Sequence, residues 1–234
     1  MKEKLLVSFS GGLTSARMTK WILDNLASQY EIVVIFANTG KEREETLEFV
    51  NKCDKLWGFN TIWVEAVVFP EKGKGTSYKV VSYETASRHG EPFEQVIIKY
   101  GLPNVKFPHC TRELKQRPMH SYVKIQLGWK KYKQSYFTAI GIRIDEVDRV
   151  SSSYKKNRYI YPLVSLLPTT KKDIYKFWIQ QPFSLNLKSY QGNCDLCFKK
   201  SDRKIFTILK ESPEKANWWK KNGRYTWKWL FLLS

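Results

Sequence analysis

The stretch SFSGGLTSA, Ser8–Ala16, joins a short apolar run, Leu5–Phe9, to a segment that carries Met18, Trp21, Ile22 and Leu26 on one helical face. A strand that ends at Ser10-Gly11-Gly12 and passes directly into a helix has a definite chemistry. The two glycines let the backbone turn sharply and approach a ligand with no Cβ in the way. The free N–H groups and the positive end of the helix dipole then face outward, which suits phosphate or sulfate. Ser10, Thr14 and Ser15 add hydroxyl donors, and Ser8 at the strand end belongs to the same loop. No Gly-Lys-Ser/Thr follows at the spacing of a Walker A loop. An ordinary Ser-Gly-Gly turn with a helix cap is the competing reading.

Outward from that loop the first half alternates strand and helix. Ile32–Ala37 (IVVIFA) is a continuous apolar run of the kind buried on both faces of a sheet. Asn38-Thr39-Gly40 turns the chain into an amphipathic helix over about Glu42–Trp57, and Thr61–Val68 reads as a third strand. Glu71–Ser77 reads as a basic loop, Tyr83–Tyr100 contains a helix, and Tyr136–Ile142 is another buried strand that leads into the loop Arg143–Arg149. This alternation predicts an α/β fold with a parallel sheet and right-handed crossovers, whose ligands bind at the carboxyl ends of strands near the topological switch point. Beyond Tyr159 the pattern changes to a helix near Lys171–Gln180, the segment GNCDLCFKKS and a basic aromatic tail. The expected division is a nucleotide-binding domain over 1–158 and a small C-terminal helical, cysteine-containing subdomain over 159–234.

Forty Lys and Arg against twenty-two Asp and Glu give a net charge of +18. Such an excess attracts polyanions, so nucleic acid or highly phosphorylated ligands are favoured over neutral ones. The N-terminal apolar run is too short for a signal peptide or a membrane span, which predicts a cytoplasmic protein without a membrane partner. Four cysteines in such a chain argue against a disulfide scaffold, and a C-x-x-C pair in a reducing compartment holds metal or does redox chemistry.

Several groups stand where a site is expected. Lys115 and Arg117, on or beside a helix that starts near Cys110, suit a phosphate or sulfate, or else form a solvated face. Arg143 has the fork geometry for phosphate oxygens, and Asp145 or Glu146 suits Mg²⁺; a local Arg–Asp salt-bridge network uses the same residues. Glu42 stabilises a helix start or touches ligand. Cys194 and Cys197 form the C-x-x-C among Lys199, Lys200, Arg203 and Lys204, whereas Cys53 shares an apolar helix face with Leu47, Val50 and Trp57 and reads as a core thiol. The tail Pro213–Ser234 mixes Trp218, Trp219, Trp227 and Trp229 with Lys220, Lys221, Arg224 and Lys228. It reads as a nucleic-acid platform or as a docking helix.

With these residues in view, the chain resembles the phosphoadenosine phosphosulfate (PAPS) reductase family of the PP-loop superfamily. SGG-x-x-S after a buried strand resembles the PP-loop itself. FANTGKEREET (Phe36–Thr46), CTRELKQRPM (Cys110–Met119), GIRIDEVDR (Gly141–Arg149), and YPL (Tyr161–Leu163) with GNCDLCFKKS resemble the reductase branch in the same order. The resemblance spans about Lys4–Lys204 and implies an α/β fold with a doubly wound five-stranded parallel sheet, and an adenine nucleotide, ATP or PAPS, with Mg²⁺. It implies nucleotide contacts at Ser8, Ser10, Gly11, Gly12, Thr14, Ser15, Asn38, Thr39, Gly40, Gly141 and Arg149, and catalytic roles for Lys115, Arg143 and Asp145. Related reductases with an iron–sulfur cluster carry Cys-Cys where this chain has His109-Cys110. That departure leaves a [4Fe–4S] cluster on Cys110, Cys194 and Cys197, with His109 or an open iron, beside a Cys₃His Zn²⁺ site. Two enzyme classes follow. One is a sulfonucleotide reductase forming sulfite, weakened because no cysteine follows Cys197 in this sequence. The other is ATP-dependent adenylation and sulfur transfer to a nucleic-acid acceptor, tRNA or DNA, with pyrophosphate release. A non-catalytic nucleotide-binding protein is a third reading, and a homodimer is a compatible assembly.

Overall fold

The computed structural model describes residues 2–130 and 135–223. Its order begins β1 (Glu3–Phe9), α1 (Leu13–Leu26), β2 (Tyr30–Asn38), α2 (Glu44–Trp57), β3 (Ile62–Val68), β4 (Thr76–Val81) and α3 (Glu91–Tyr100). A π-helical turn, Thr111–Gln116, runs into α4 (Arg117–Ile125), followed by β5 (Phe137–Ile140) and a 3₁₀ turn, Ile144–Arg149. Then come α5 (Tyr154–Asn157), β6 (Tyr159–Ile160), α6 (Pro162–Ser165), α7 (Lys171–Ile179), α8 (Asp202–Glu211) and α9 (Lys215–Asn222).

The described strands form one sheet in the order β4-β3-β2-β1-β5-β6. Five of them run parallel, as the buried apolar runs predict. β4 adds an antiparallel edge beside β3, with Trp63 opposite Val81 and Val68 opposite Thr76. The sequence reading put Thr76 and Ser77 at the end of a loop. TSYKVV has no continuous apolar run because an edge strand covered on one side needs none. From β1 the sheet grows one way through β2 and β3 and the other way through β5 and β6. The β1/β5 boundary is therefore the switch point, and both the Ser10-Gly11-Gly12 turn and the Arg143 loop leave the sheet there.

Alternate residues of β1 feed opposite faces. Leu5, Val7 and Phe9 enter a core with Met18 and Ile22 of α1, Leu47 and Val50 of α2, and Trp178 of α7. Leu6 enters the opposite core with Ile35, Val64, Met119, Val123 and Trp129. Cys53 is fully buried in the first core, as its helical face implied. A third core joins Val68, Phe93 and Val96 to Leu114, Leu196, Ile205, Ile208 and Trp219, so α8 and α9 dock against α3 and the π-helical turn. Trp218 packs edge-on against Phe93 and Trp219, which makes these two tail tryptophans docking residues. Arg224, Trp227, Lys228 and Trp229 lie outside the described residues. Among the described residues no helix is long and apolar enough to cross a membrane.

Candidate nucleotide and thiol site

The phosphate loop is organised from inside. Gly11 adopts φ 74°, where a side chain is strained, and a Cβ there would lie 2.8 Å from Thr46 Cγ2. Ser15, 3% exposed, places its hydroxyl at the centre of the turn. It accepts from the Ser10 hydroxyl at 2.9 Å and from the Gly12 amide at 3.3 Å, and donates to the Gly12 carbonyl at 3.0 Å. Ser15 thus shapes the loop, while Ser10 and Thr14 are the hydroxyls nearer solvent. Ser8 sits in β1, flanked in register by Ile35 and Ile140. Gly141, at the end of β5, passes so near α1 that a Cβ would lie 3.0 Å from Ser15 Cα.

The turn after β2 is built around two buried carboxylates. Glu65, fully buried on β3, accepts from Asn38 Nδ2 at 2.7 Å and the Ser87 amide at 2.6 Å, and pairs with Lys79 at 2.9 Å. Asn38 Oδ1 in turn accepts from the Gly40 amide at 3.1 Å, so the Asn38 side chain holds the turn. Glu42 lies just before the cap residue Arg43 of α2, and its carboxylate is engaged by Thr39 and Lys115. Its Oε2 accepts from the Thr39 amide at 2.8 Å and from the Thr39 hydroxyl, and its Oε1 lies 3.3 Å from Lys115 Nζ. Burial opposes the Lys115 charge, but Glu42 and the facing Cys194 and Cys110 thiols outweigh it and raise its pKa above the ordinary lysine value.

On the other side of the phosphate loop, Arg143 donates to Thr14 Oγ1 at 3.1 Å. It also pairs with Asp145 at 2.8 Å and Glu146 at 3.1 Å, and Arg149 pairs with Glu146. Asp145 takes a further bond from the Lys171 amide at 3.2 Å. The Arg–carboxylate network anticipated for this loop is present, and it anchors Arg143 against the loop that it faces.

The C-x-x-C segment is pinned to both turns. Asn193 Nδ2 donates to the Ser10 carbonyl at 2.6 Å, the Arg43 amide donates to the Asn193 carbonyl at 2.8 Å, and the Asp195 amide donates to the Lys41 carbonyl at 2.8 Å. Glu42 and Cys194 thereby form an antiparallel bridge. Burial, with Glu42 beside it, pushes the Cys194 thiol well up; burial and the neighbouring Cys197 push Cys110 up. Cys110 and Cys194 are thus electrostatic neighbours of Lys115, and both lie near Cys197. His109 stands apart, with its Nε2 donating to the Gly101 carbonyl at 2.8 Å. Among the described residues no three of His, Cys, Asp and Glu stand together as a metal-ligand group. The arrangement therefore supplies neither the Cys₃His set with His109 nor the three-cysteine cluster set expected of Cys110, Cys194 and Cys197.

Asn193, Glu65, Ser87 and Glu113 were not singled out from the sequence. Asn193 looked like a turn residue beside the C-x-x-C, and its reach to Ser10 depends on the fold. Glu65 within WVEAVV had one visible signal, a charged residue inside an otherwise apolar strand.

Residues 4–177 match the phosphoadenosine phosphosulfate reductase domain. The chain belongs to that family. An uncharacterized nin-region protein of Escherichia phage lambda is 34% identical over 210 residues, which cover 88% of this chain and 69% of the phage protein. An uncharacterized protein of Methanocaldococcus jannaschii is 24% identical over 254 positions, covering 97% of this chain and 46% of its own length. Argininosuccinate synthase of Aedes aegypti is 32% identical over 84 residues, 33% of this chain and 20% of that protein. The chain thus spans about two thirds of the phage relative and under half of the archaeal one.

Proposed function

We propose that the chain binds MgATP at the Ser10–Ser15 loop and adenylates a nucleic-acid acceptor. An acceptor oxygen attacks the α-phosphorus, the α–β P–O bond breaks and pyrophosphate leaves. Hydrosulfide from an external sulfur donor, received beside the Cys110, Cys194 and Cys197 thiols, then attacks the adenylated carbon; the C–S bond forms as the C–O bond breaks, and AMP leaves. The observation that carries this reading is the Asn193–Ser10 hydrogen bond of 2.6 Å, with the paired 41–43 and 193–195 segments behind it, because it ties thiol chemistry to the phosphate loop. Lys115 on one side and Arg143 on the other supply cations where charge builds on the phosphates. The net charge of +18 supports a polyanionic acceptor. Free thiols fit a reducing, cytoplasmic setting.

A second reading, reduction of a sulfonucleotide to sulfite, is favoured by the family match over residues 4–177. One assay separates the two. Pyrophosphate release from ATP, accelerated by tRNA or DNA and suppressed by salt, is the expected result, with little sulfite from PAPS and thioredoxin. Vigorous sulfite formation without α–β cleavage of ATP on any nucleic acid selects the reductase.

A further inference from the structure

On the face reached through the π-helical turn, two concavities of about 440 and 420 Å³ meet at Tyr100, which lines both. The first is lined by Lys72, Lys74, Lys99 and Arg117, and the second by Lys106, Phe107, His109 and Arg112. Among the described residues the only carboxylates paired with these cations are Glu71 and Glu113. Lys72 and Lys106 are exposed and form no ion pair with another described residue.

The surface is built rather than accidental. Lys99 Nζ donates to the carbonyls of Phe69, Lys74 and Glu71 at 2.5, 2.6 and 3.2 Å, which folds the β3–β4 loop around one ammonium. Glu113, fully buried, holds Arg112 at 2.7 Å and Arg117 at 3.3 Å while accepting from the Thr76 hydroxyl. One hidden carboxylate thus orients two guanidinium groups, each with further N–H donors to offer. Gly75 makes room for this: a Cβ there would lie 2.8 Å from Arg117 Nη1. Asn104 Oδ1 accepts the amides of Lys106 and Phe107, both at 3.0 Å, and so fixes the turn that leaves Phe107 67% exposed.

We infer that this basic, aromatic cradle between the β3–β4 loop, the end of α3 and the 101–109 loop binds a single-stranded segment of the acceptor nucleic acid. The inference rests on the function proposed above and adds the place and the strandedness of its substrate. Cations set along a groove neutralise a phosphate backbone, and a held, exposed aromatic ring stacks on an unpaired base. A duplex hides its base faces from such a ring, and an acidic peptide offers none. The cradle ends at His109, the residue next to Cys110, so a strand lying in it ends beside the first of the three site cysteines.

The test is fluorescence anisotropy on the full chain with a labelled single-stranded oligonucleotide, its duplex, and polyglutamate, across a salt series. The single strand is expected to bind at least tenfold tighter than the duplex, in line with the worth of one stacked base. Lys72→Gln with Lys106→Gln should flatten the log–log salt slope by about 1.4, about 0.7 for each lost phosphate contact. Phe107→Ala should weaken binding roughly tenfold and Phe107→Trp restore it, with ATP affinity unchanged in both. Unaltered affinity and slope in these variants, or polyglutamate binding equal to the oligonucleotide, would overturn the cradle. If nucleic acid still stimulates pyrophosphate release in variants whose binding is unaltered, the function stands and only the location falls. If it neither binds nor stimulates, the cradle falls together with the nucleic-acid acceptor.

Discussion

Lys115 Nζ lies 3.3 Å from Glu42 Oε1, so the π-helical turn after the first site cysteine and the turn after β2 meet on an ion pair. Glu42 spends its other oxygen on Thr39, and its side chain is 1% exposed. Replacing it leaves the Thr39 donors and the Lys115 ammonium short of a partner. Glu42→Ala should therefore lower unfolding stability by about 3 kcal/mol in urea, the scale for losing one partner of a buried pair. A loss under about 1 kcal/mol would mean that the turn holds itself without the pair.

The same pair fixes a pH dependence. Lys115 binds its proton more tightly in the folded chain than at the ordinary value of 10.5. Its contribution to stability is therefore complete below the unfolded pKa and disappears as pH rises through the folded one. The stability gap between the native chain and Lys115→Met should be flat from neutral pH to about pH 9 and narrow above about 10.5. A gap that widens with rising pH contradicts the assignment.

The two loop glycines should separate stability from binding. Gly11 has φ 74° and meets Thr46, so Gly11→Ala should destabilise the fold by about 1–3 kcal/mol. At Gly12 the nearest atoms to a Cβ would be those of the Asn193 amide, at 3.3 Å. Gly12→Val should keep the fold but block backbone approach to phosphate, with calorimetry showing loss of adenine-nucleotide binding. Unchanged affinity in folded Gly12→Val rules out this loop as the phosphate site.

Thiol reactivity should follow burial. Cys110 and Cys194 are held above the ordinary thiol value of 9.0, so their thiolate fraction near pH 8 is small. Mass spectrometry after a timed pulse of iodoacetamide should find both modified at least tenfold more slowly than in urea-unfolded chain, with rates climbing above pH 9. Fast labelling of Cys194 at pH 7 would show a depressed pKa instead.

Asn193→Ala should cost about 1 kcal/mol, the worth of a typical hydrogen bond, and should also remove a functional link. In the native chain bound ATP is expected to slow alkylation of Cys194; in the variant ATP should still bind while protection falls. Equal protection in both proteins means that the clasp does not couple the two halves of the site.

The sheet was legible because its inner strands are nearly all apolar. Leu5–Phe9 reads as a short apolar run, IVVIFA as a strand buried on both faces, and Thr61–Val68 as a third strand, with polar turns after the first two. β4 escaped because TSYKVV covers one side of an edge and its burial gives no continuous run. Within the site, glycines, arginines and cysteines announced themselves by type and spacing. The residues that hold them did not. Glu65 and Glu113 are fully buried carboxylates, and each has a distant partner, Asn38 at 27 residues for Glu65 and Thr76 at 37 residues for Glu113. Asn193 is 183 residues from the carbonyl that it grips, and no local pattern encodes such a distance.

That separation of 183 residues also sets a timetable for synthesis. β1 and the glycine turn leave the ribosome before the thiol segment, so the turn lacks its outer brace until Asn193 has emerged. At roughly 5–20 residues per second the nascent chain spends on the order of ten seconds or more with an unbraced loop. During that interval the sheet can form while the thiol segment is still being made. The link between the glycine turn and the cysteines is thereby deferred until the thiol segment has been synthesised, and a ribosome stalled before Asn193 would display a folded sheet with an unbraced turn.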